Sequence, residues 1–476
     1  MAKLIFLQNN SFDLHGPMYI SGMLKHHGHS CQLFVVPQED DVFALLKEAA
    51  PDFVAFPIVS IERFWALEFA ERVKQETGAI TIFGGVDPTM CPEIIEHESV
   101  DIVCRGEGEY PLLDLLDSFD KTGKICTDIE NLWFKIDGNI IKNPVRRLVE
   151  DLDTLPLVDR ELYFGRYPFF RDYPLKRILV GRGCPCECTY CCNSKMHKDI
   201  YRGKGKWVRR HSVEYVINEI IKFRDTHGIR SIDFIDDDFI VDKPWLRSFL
   251  EIYKQKINLP YTCLVRINVV DDETAALLKE TGCFTVSFGV ESGDEVIRCD
   301  ILKKHLKDDE IFRGAALLKK HNLKYNTFNI LNHPGETIES GFKTVDINIK
   351  IKADFPQCSI FQPFPGTQFW DENVADKSLA EQEEFLRTID FYSSSNVRQE
   401  DTRQLTNLAK LFSFAVKNQF FRLIMPALIK LPPNKFFHFM FLVAFAFRHA
   451  KANRMSILEE IKFNTKHLEG YFKKKK

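Results

Sequence analysis

The sequence predicts an α/β protein in three parts: a doubly wound, Rossmann-like parallel sheet, a partial (β/α)6 barrel and a helical C-terminus. Three observations carry this. Over residues 1–120, short apolar runs alternate with helical patterns, which is how parallel strands joined by helical crossovers read. A second alternating series begins near Leu175 and supplies six strand–helix units, two short of a closed eight-stranded barrel. After about residue 375 the pattern is helical to the end.

The strands of the first sheet are KLIFLQ, CQLFVV, DFVAFPI, AITIFGG and DIVCRGEGE. Between them YISGMLKHHGH, VFALLKEAA, ERFWALEFAERVKQETG and CPEIIEHES read as helices. Residues 121–174 have irregular patterning around LDTLPLVDR (Leu152 to Arg160) and read as a linker packed between domains. The second series, over 175–375, takes its strands from KRILVGRG, SIDFIDDD, YTCLVRIN, FTVSFGVESG, YNTFNILN and CSIFQPF. Helices such as SVEYVINEIIKFRDTHG and DETAALLKETG fall between them. In both architectures ligands gather at the carboxyl ends of the strands. Residues 376–476 form the helical C-terminal region.

The 476 residues are 45% apolar and 28% charged, enough for two or three cores. The opening MAKLIFLQNNSFDLHG lacks a small-residue cleavage site and turns polar after Leu7, so it reads as a buried first strand and the expected compartment is the cytoplasm. Thiols there stay reduced, and 13 cysteines is an odd number. Clustered cysteines are therefore read as a metal or redox site. The net charge of −3 hides an asymmetry. Residues 401–476 carry 15 Lys and Arg against 4 Asp and Glu, a net of +11, which leaves −14 on the other 400. The chain ends in four lysines, Lys473 to Lys476. A basic tail on an acidic body implies a separate contact surface.

GRGCPCECTYCCNS crowds five cysteines between Cys184 and Cys192. Cys184, Cys188 and Cys191 are spaced C-x3-C-x2-C on the loop after the first strand of the second series. Thiolates suit both iron–sulfur clusters and zinc. A zinc site would recruit Cys186 or Cys192 as fourth ligand.

With Tyr190 as its aromatic residue, the motif resembles the C-x3-C-x-aromatic-C of the radical S-adenosyl-L-methionine (SAM) enzymes. The resemblance implies that Cys184, Cys188 and Cys191 hold a [4Fe–4S] cluster whose open iron binds the amino and carboxylate groups of SAM. It also implies one-electron cleavage of SAM to methionine and a 5′-deoxyadenosyl radical. Cys186 and Cys192 would be bystanders. Other strand ends resemble the family in order. Asp236, Asp237 and Asp238 in FIDDDF stand where the SAM amino group is recognised. Arg266 could meet the SAM carboxylate. Glu291 in FGVESG would accept from the ribose hydroxyls, with glycines giving the ligand access to backbone. Tyr190 joins them as a SAM contact. NHPGET (Asn332 to Thr337) and PFPGT (Pro363 to Thr367) end the last two strands. The resemblance covers about Leu175 to Trp370.

FGGVDPT and VCRGEGEYP resemble the cobalamin-binding domain that precedes the radical domain in one subgroup, and LDTLPLVDR its connecting segment. The resemblance implies cobalamin contacts at Gly84, Gly85, Gly106, Glu107 and Gly108. Cobalamin mutases place D-x-H-x-x-G after the first strand. Here Asp13 and His15 match, and Met18 stands at the glycine. His15 is a candidate cobalt ligand, and Ser60, in Ser60-Ile61-Glu62, a candidate contact. Asp87 stands where the subgroup has histidine.

The C-terminal stretch 419–454 is basic and rich in phenylalanine, and its apolar run from Phe436 to Phe447 is 12 residues, too short to span a bilayer. It reads as a helical cap on the barrel or as an interfacial helix on anionic lipid. The length of the apolar run argues against nucleic acid.

Together the resemblances imply a cobalamin-dependent radical SAM methyltransferase acting on an unactivated centre through methylcobalamin. Its expected partners are a small-molecule substrate, lipid or isoprenoid in class, and an external electron donor such as flavodoxin or ferredoxin. Its expected place is the cytoplasm, with peripheral contact at the inner membrane face. Two alternatives stand: an oxidative cyclase or rearrangement enzyme of the same subgroup, and a non-catalytic metal-binding regulatory protein.

Overall fold

The computed structural model describes residues 1–389 and 395–462. The first sheet is built from β1 (Lys3–Gln8), β2 (Ser30–Val35), β3 (Phe53–Pro57), β4 (Ile80–Gly84), β5 (Ile102–Cys104), β6 (Leu132–Ile136) and β7 (Asn139–Lys142). They lie in the order β2-β1-β3-β4-β5-β6-β7, parallel through β5. The strand order reverses at β1, which opens a crevice at the carboxyl ends of β1 and β3. Period-two alternation sends Leu4, Phe6, Phe53 and Ala55 into one core and Ile5, Leu7, Val54 and Phe56 into another. Both faces are covered by helices, so these strands read as continuous apolar runs.

The segment 121–174, expected to be only a linker, also completes this sheet: β6 and β7 form an antiparallel hairpin on its edge. The turn is Asp137-Gly138, both at positive φ. An Asp-Gly pair between two apolar runs is a strong short-range hairpin signal. The rest of the segment does pack between domains. Asp159 N–H donates to the Met18 carbonyl (3.1 Å), and Arg160 pairs with Glu219 of the second domain (2.5 Å).

The second domain contributes β8 (Leu175–Ile178), β9 (Gly181–Arg182), β10 (Arg209–Arg210), β11 (Ser231–Phe234), β12 (Tyr261–Leu264), β13 (Cys283–Glu291), β14 (Lys324–Leu331) and β15 (Phe355–Ile360). Six of them, β8-β11-β12-β13-β14-β15, pair in parallel and in chain order. The edges β8 and β15 do not meet, so the barrel is open, as the count of six units requires. β9 and β10 form a separate two-stranded antiparallel ribbon. Short polar residues cap the helices that leave the strand ends: Ser212, Asp242, Asp271 and Thr337 each accept from a backbone N–H three residues on. These caps fix where each loop at the site stops.

The C-terminal region opens with the short helix Leu379–Arg387, and helix Thr402–Lys417 packs Leu408, Leu411 and Phe412 against the β14–β15 edge. Helices Gln419–Leu428 and Lys435–Ala452 follow. The end of the last one crosses the amino ends of the strands: Thr285 Oγ1 donates to the Ala452 carbonyl (2.8 Å) and Arg448 to Asn326 (3.3 Å). Among the described residues no helix is long and apolar enough to cross a membrane. Lys473 to Lys476 lie outside the described residues.

Candidate functional site

The cysteine loop leaves the carboxyl end of β8 through the ribbon strand β9. Gly183 takes φ +86 there, and a Cβ would stand 2.4 Å from the Trp207 carbonyl. Trp207 Nε1 donates to the Cys184 carbonyl (2.9 Å) and so holds the first cysteine. No cysteine is in a disulfide. Cys184 hydrogen-bonds Cys186, and Cys191 hydrogen-bonds Cys192. The Cys184 contact, joined by the Arg266 guanidinium, pulls Cys186 down to about 6. Burial raises Cys188, against the pull of Lys304. Among the described residues no three His, Cys, Asp or Glu groups converge on a single-ion position. The three motif thiols are free of disulfides, with Lys304 and Arg266 beside Cys188 and Asp237 beside Cys184 and Cys191, soft donors suited to an iron–sulfur cluster.

The other predicted SAM contacts divide into different tasks. Asp236 accepts from Val180 N–H (3.1 Å) and sits 3.9 Å from Arg210. Burial pushes its carboxyl up to about 7, so it braces the β8–β9 turn. Asp237 accepts from Asn193 Nδ2 (2.9 Å) beside the cysteines. Asp238 accepts from the N–H of Ile240 (3.3 Å) and Arg266 (3.4 Å), and burial lifts it to about 6. Arg266 places Nη1 on Cys186 Sγ and donates through Nη2 to the Lys304 carbonyl (3.0 Å). Glu291 has φ +65 and pairs with Lys304 (2.8 Å); Tyr190 is 3.4 Å from the same ammonium. A Cβ on Gly289 would collide with the Glu291 carboxylate, and one on Gly293 with the backbone of Lys343. Gly293 is thus required by packing against the backbone of helix Ile338–Lys350, and Gly289 leaves room for the Glu291 carboxylate. Tyr190 packs with Ile297, Leu302, Phe361 and Phe369.

Between the domains lies a mostly apolar cleft of about 640 Å³ at the carboxyl ends of β1, β3, β4 and β5. It is lined by His15, Gly84, Gly85, Gly106, Glu107 and Gly108, and on the barrel side by Arg182, Tyr201, Trp207 and Arg209. His15 begins helix His15–His26. Its Nε2 is buried without a hydrogen-bond partner, and burial, followed by Arg160 and Arg177, holds the imidazole well below its usual pKa, hence neutral. An apolar crevice with one orphaned, neutral imidazole fits a large ring with a central metal.

One expected contact is corrected, and others carry structural tasks besides lining the cleft. Ser60 does not line the cleft; its neighbours Val59, Ile61 and Glu62 do. Gly85 is required because a Cβ would meet the Ile58 carbonyl at 2.6 Å, and Gly106 because a Cβ would fall 1.8 Å from Tyr201 Oη. Glu107 lines the cleft but is engaged with Arg209 (2.7 Å) and Arg182 (3.1 Å). Burial opposes its charge, yet the two arginines hold it below the usual carboxylate range. Met18 replaces the motif glycine because it is buried in the core under its helix. Asp87 replaces histidine and forms a two-pronged pair with Arg63 (2.9 and 2.7 Å).

A second cavity, about 1470 Å³, lies on the other side of the ribbon, bordered by Cys186, Arg210, His211, Asp238, Trp245 and Arg266. The ribbon is the partition. Trp207 and Arg209 face the cleft, and Val208 and Arg210 face the second cavity, the alternation of an extended strand. One hydrogen-bonded chain crosses it: Asp153 to His211 Nδ1 (3.1 Å), and His211 Nε2 to Tyr19 Oη (3.1 Å). Sequence reasoning missed Arg182, Arg209, His211 and Tyr201. The adjacent Arg209-Arg210 in a strand-like run was the available signal; Tyr201 offered none.

Comparison with known proteins follows the same two-part layout. Residues 13–116 match the model of the B12 binding domain and residues 178–346 that of the radical SAM superfamily. An uncharacterized methyltransferase of Pyrococcus horikoshii is 28% identical over 373 residues, 76% of this chain and 79% of that protein. An anaerobic magnesium-protoporphyrin IX monomethyl ester cyclase of Rubrivivax gelatinosus is 23% identical over 75% of this chain and 66% of its own length. The radical SAM methyltransferase TsrM of Kitasatospora setae, solved with cobalamin and a [4Fe–4S] cluster, superposes with a TM-score of 0.68 at 17% identity, covering 88% of this chain and 90% of that one.

Proposed function

This chain belongs to the radical SAM superfamily and carries a B12-binding domain ahead of the radical domain, and on that premise we propose that it is a cobalamin-dependent methyltransferase of a small molecule. The observation that carries the reading is the shared wall. Trp207 holds the carbonyl of Cys184 and also lines the cleft, so the cluster loop and the B12 cleft are adjacent by construction. When bound, the [4Fe–4S] cluster and SAM supply one-electron chemistry and cobalamin supplies the methyl group.

The chain's own residues do the rest. Cys184, Cys188 and Cys191 hold the cluster. Arg266 and Lys304 bring positive charge to its edge. Asp237 and Glu291 are the carboxylates placed to orient SAM, Glu291 after exchanging its Lys304 partner. The apolar walls of the cleft exclude water, and His15 offers a neutral nitrogen to a metal. An external electron donor of the flavodoxin or ferredoxin kind completes the requirement. The substrate class expected from the sequence, a lipid or isoprenoid taken up at the inner membrane face, rests on the basic, phenylalanine-rich C-terminal stretch.

The test is anaerobic turnover with SAM of iron- and cobalamin-loaded protein against candidate small molecules. Methylation yields 5′-deoxyadenosine with one methyl gained per product, and Cys184→Ala, Cys188→Ala or Cys191→Ala loses both activity and bound iron. Deoxyadenosine with no methyl gained would move the protein to the cyclase reading. A fully loaded protein that never cleaves SAM would leave a metal-binding regulator.

A further inference from the structure

We propose that the outward face of helices Gln419–Leu428 and Lys435–Ala452 is an interfacial anchor for an anionic lipid bilayer. This goes beyond the chemistry above and does not depend on it. Ten of the sixteen strongly exposed large apolar side chains among the described residues lie between positions 420 and 461. Of the other six, Phe12, Val59 and Ile61 line the B12 cleft, which accounts for them. None of the C-terminal ones borders the B12 cleft or the second cavity.

Their spacing is helical. Phe420 and Leu423 stand three apart on the first helix; Phe436, Phe439 and Leu442 repeat every three on the second, and Phe447 completes the stripe. Phe437 and Phe441, on the opposite face, are buried. The exposed face is therefore not the remainder of a poorly packed helix but a second apolar face on a helix whose first is already covered.

Charge decides what covers it. From Thr402 to Leu458 the chain has nine Lys and Arg and no Asp or Glu. Lys430, Lys435 and Lys451 are exposed and form no ion pair among the described residues. A second copy meeting this patch through its own equivalent would set cations against cations. A surface that is apolar within and anionic at its rim satisfies both features, which is the profile of a bilayer with acidic headgroups. With no helix among the described residues able to span, the contact is in the plane of the interface. The end of the last helix meets the amino ends of the barrel strands through the Thr285–Ala452 contact, and the cysteine loop leaves their carboxyl ends.

The experiment is vesicle flotation of the full chain. Intact protein floats with phosphatidylcholine vesicles containing phosphatidylglycerol and less with pure phosphatidylcholine; high salt weakens the binding without abolishing it. Phe436→Asp with Phe439→Asp cuts partitioning by about tenfold or more. Both side chains are exposed, so melting temperature and iron loading stay unchanged. Lys430→Gln with Lys435→Gln and Lys451→Gln removes the preference for anionic vesicles and keeps a weak residual. The proposal is overturned if intact protein fails to float at low salt, or if it floats equally with neutral vesicles. It is equally overturned if Phe439→Asp instead dissolves a dimer, or if the patch retains nucleic acid and not lipid.

Discussion

Asp236, Asp237 and Asp238 are adjacent in the chain and do three different things in space: one braces a turn, one faces the cysteines and one holds the backbone of Arg266. A strand end offers alternating directions, so three like residues cannot share one task. His333 and Glu336 of NHPGET show the opposite case, a turn motif whose polar groups are driven inside. Burial holds His333 down to about 3 and lifts Glu336 to about 8. The unfolded chain releases the Glu336 proton near its ordinary pKa while the folded one retains it, so stability falls as pH rises through the interval up to about 8. Glu336→Gln keeps the acceptor for His333 N–H (3.0 Å) and has no proton to lose. Its melting temperature relative to wild type rises between pH 5 and pH 8, by the equivalent of up to about 4 kcal/mol; parallel curves would reject the account. His15 is tested by spectrum. If its buried Nε2 ligates cobalt, His15→Ala shifts the visible absorption of bound cobalamin, and an unchanged spectrum removes it as a ligand. The residue scale was the least legible in sequence. The cysteine spacing and His15 stood out, but whether a motif carboxylate faces a ligand or a backbone N–H depends on neighbours from distant strands.

At the scale of elements, strands and helices were legible because burial on both faces leaves unbroken apolar runs and crossovers leave helical period. The hairpin β6–β7 escaped because its strands are short and one is half exposed, although Asp137-Gly138 marks the turn. The ribbon escaped because four residues carry too little pattern. Its importance comes from contact, as does that of the GEGE loop after β5. Tyr201 reaches into that loop, and Glu107 N–H donates to its hydroxyl (2.8 Å). Gly106 at φ +78 leaves the room. Gly106→Ala combines a left-handed alanine with the loss of that hydrogen bond, a cost of about 2–4 kcal/mol. Thermal unfolding checks it, and Gly106→Ala with Tyr201→Phe should not recover the loss, since the phenyl ring still occupies the space. A neutral Gly106→Ala would mean that Tyr201 is not held there.

Over the whole molecule, the two domains are clasped by charges that neither domain satisfies alone: Glu107 and Glu109 on one side, Arg182 and Arg209 on the other. Glu107→Gln leaves the buried Arg209 guanidinium without a counter-charge, while Arg182 keeps Glu109 (2.6 Å), a loss of about 3–5 kcal/mol when a buried pair is broken. Limited proteolysis should then cut the connecting segment 121–174 faster, while each domain keeps its secondary structure. Equal cutting of both proteins would show that the apolar interface alone holds the domains. The three-part architecture was legible because each part has its own period and charge; the clasp was not, because its partners are over seventy residues apart. The ribbon has one more consequence. It divides two cavities by the alternation of single residues, so what counts is the register in which β10 pairs with β9. A slip of one residue would exchange the walls, turning Trp207 and Arg209 toward the second cavity and Val208 and Arg210 toward the cleft. A slip of two would restore them, so the ribbon's two ladder pairs keep the two cavities chemically distinct.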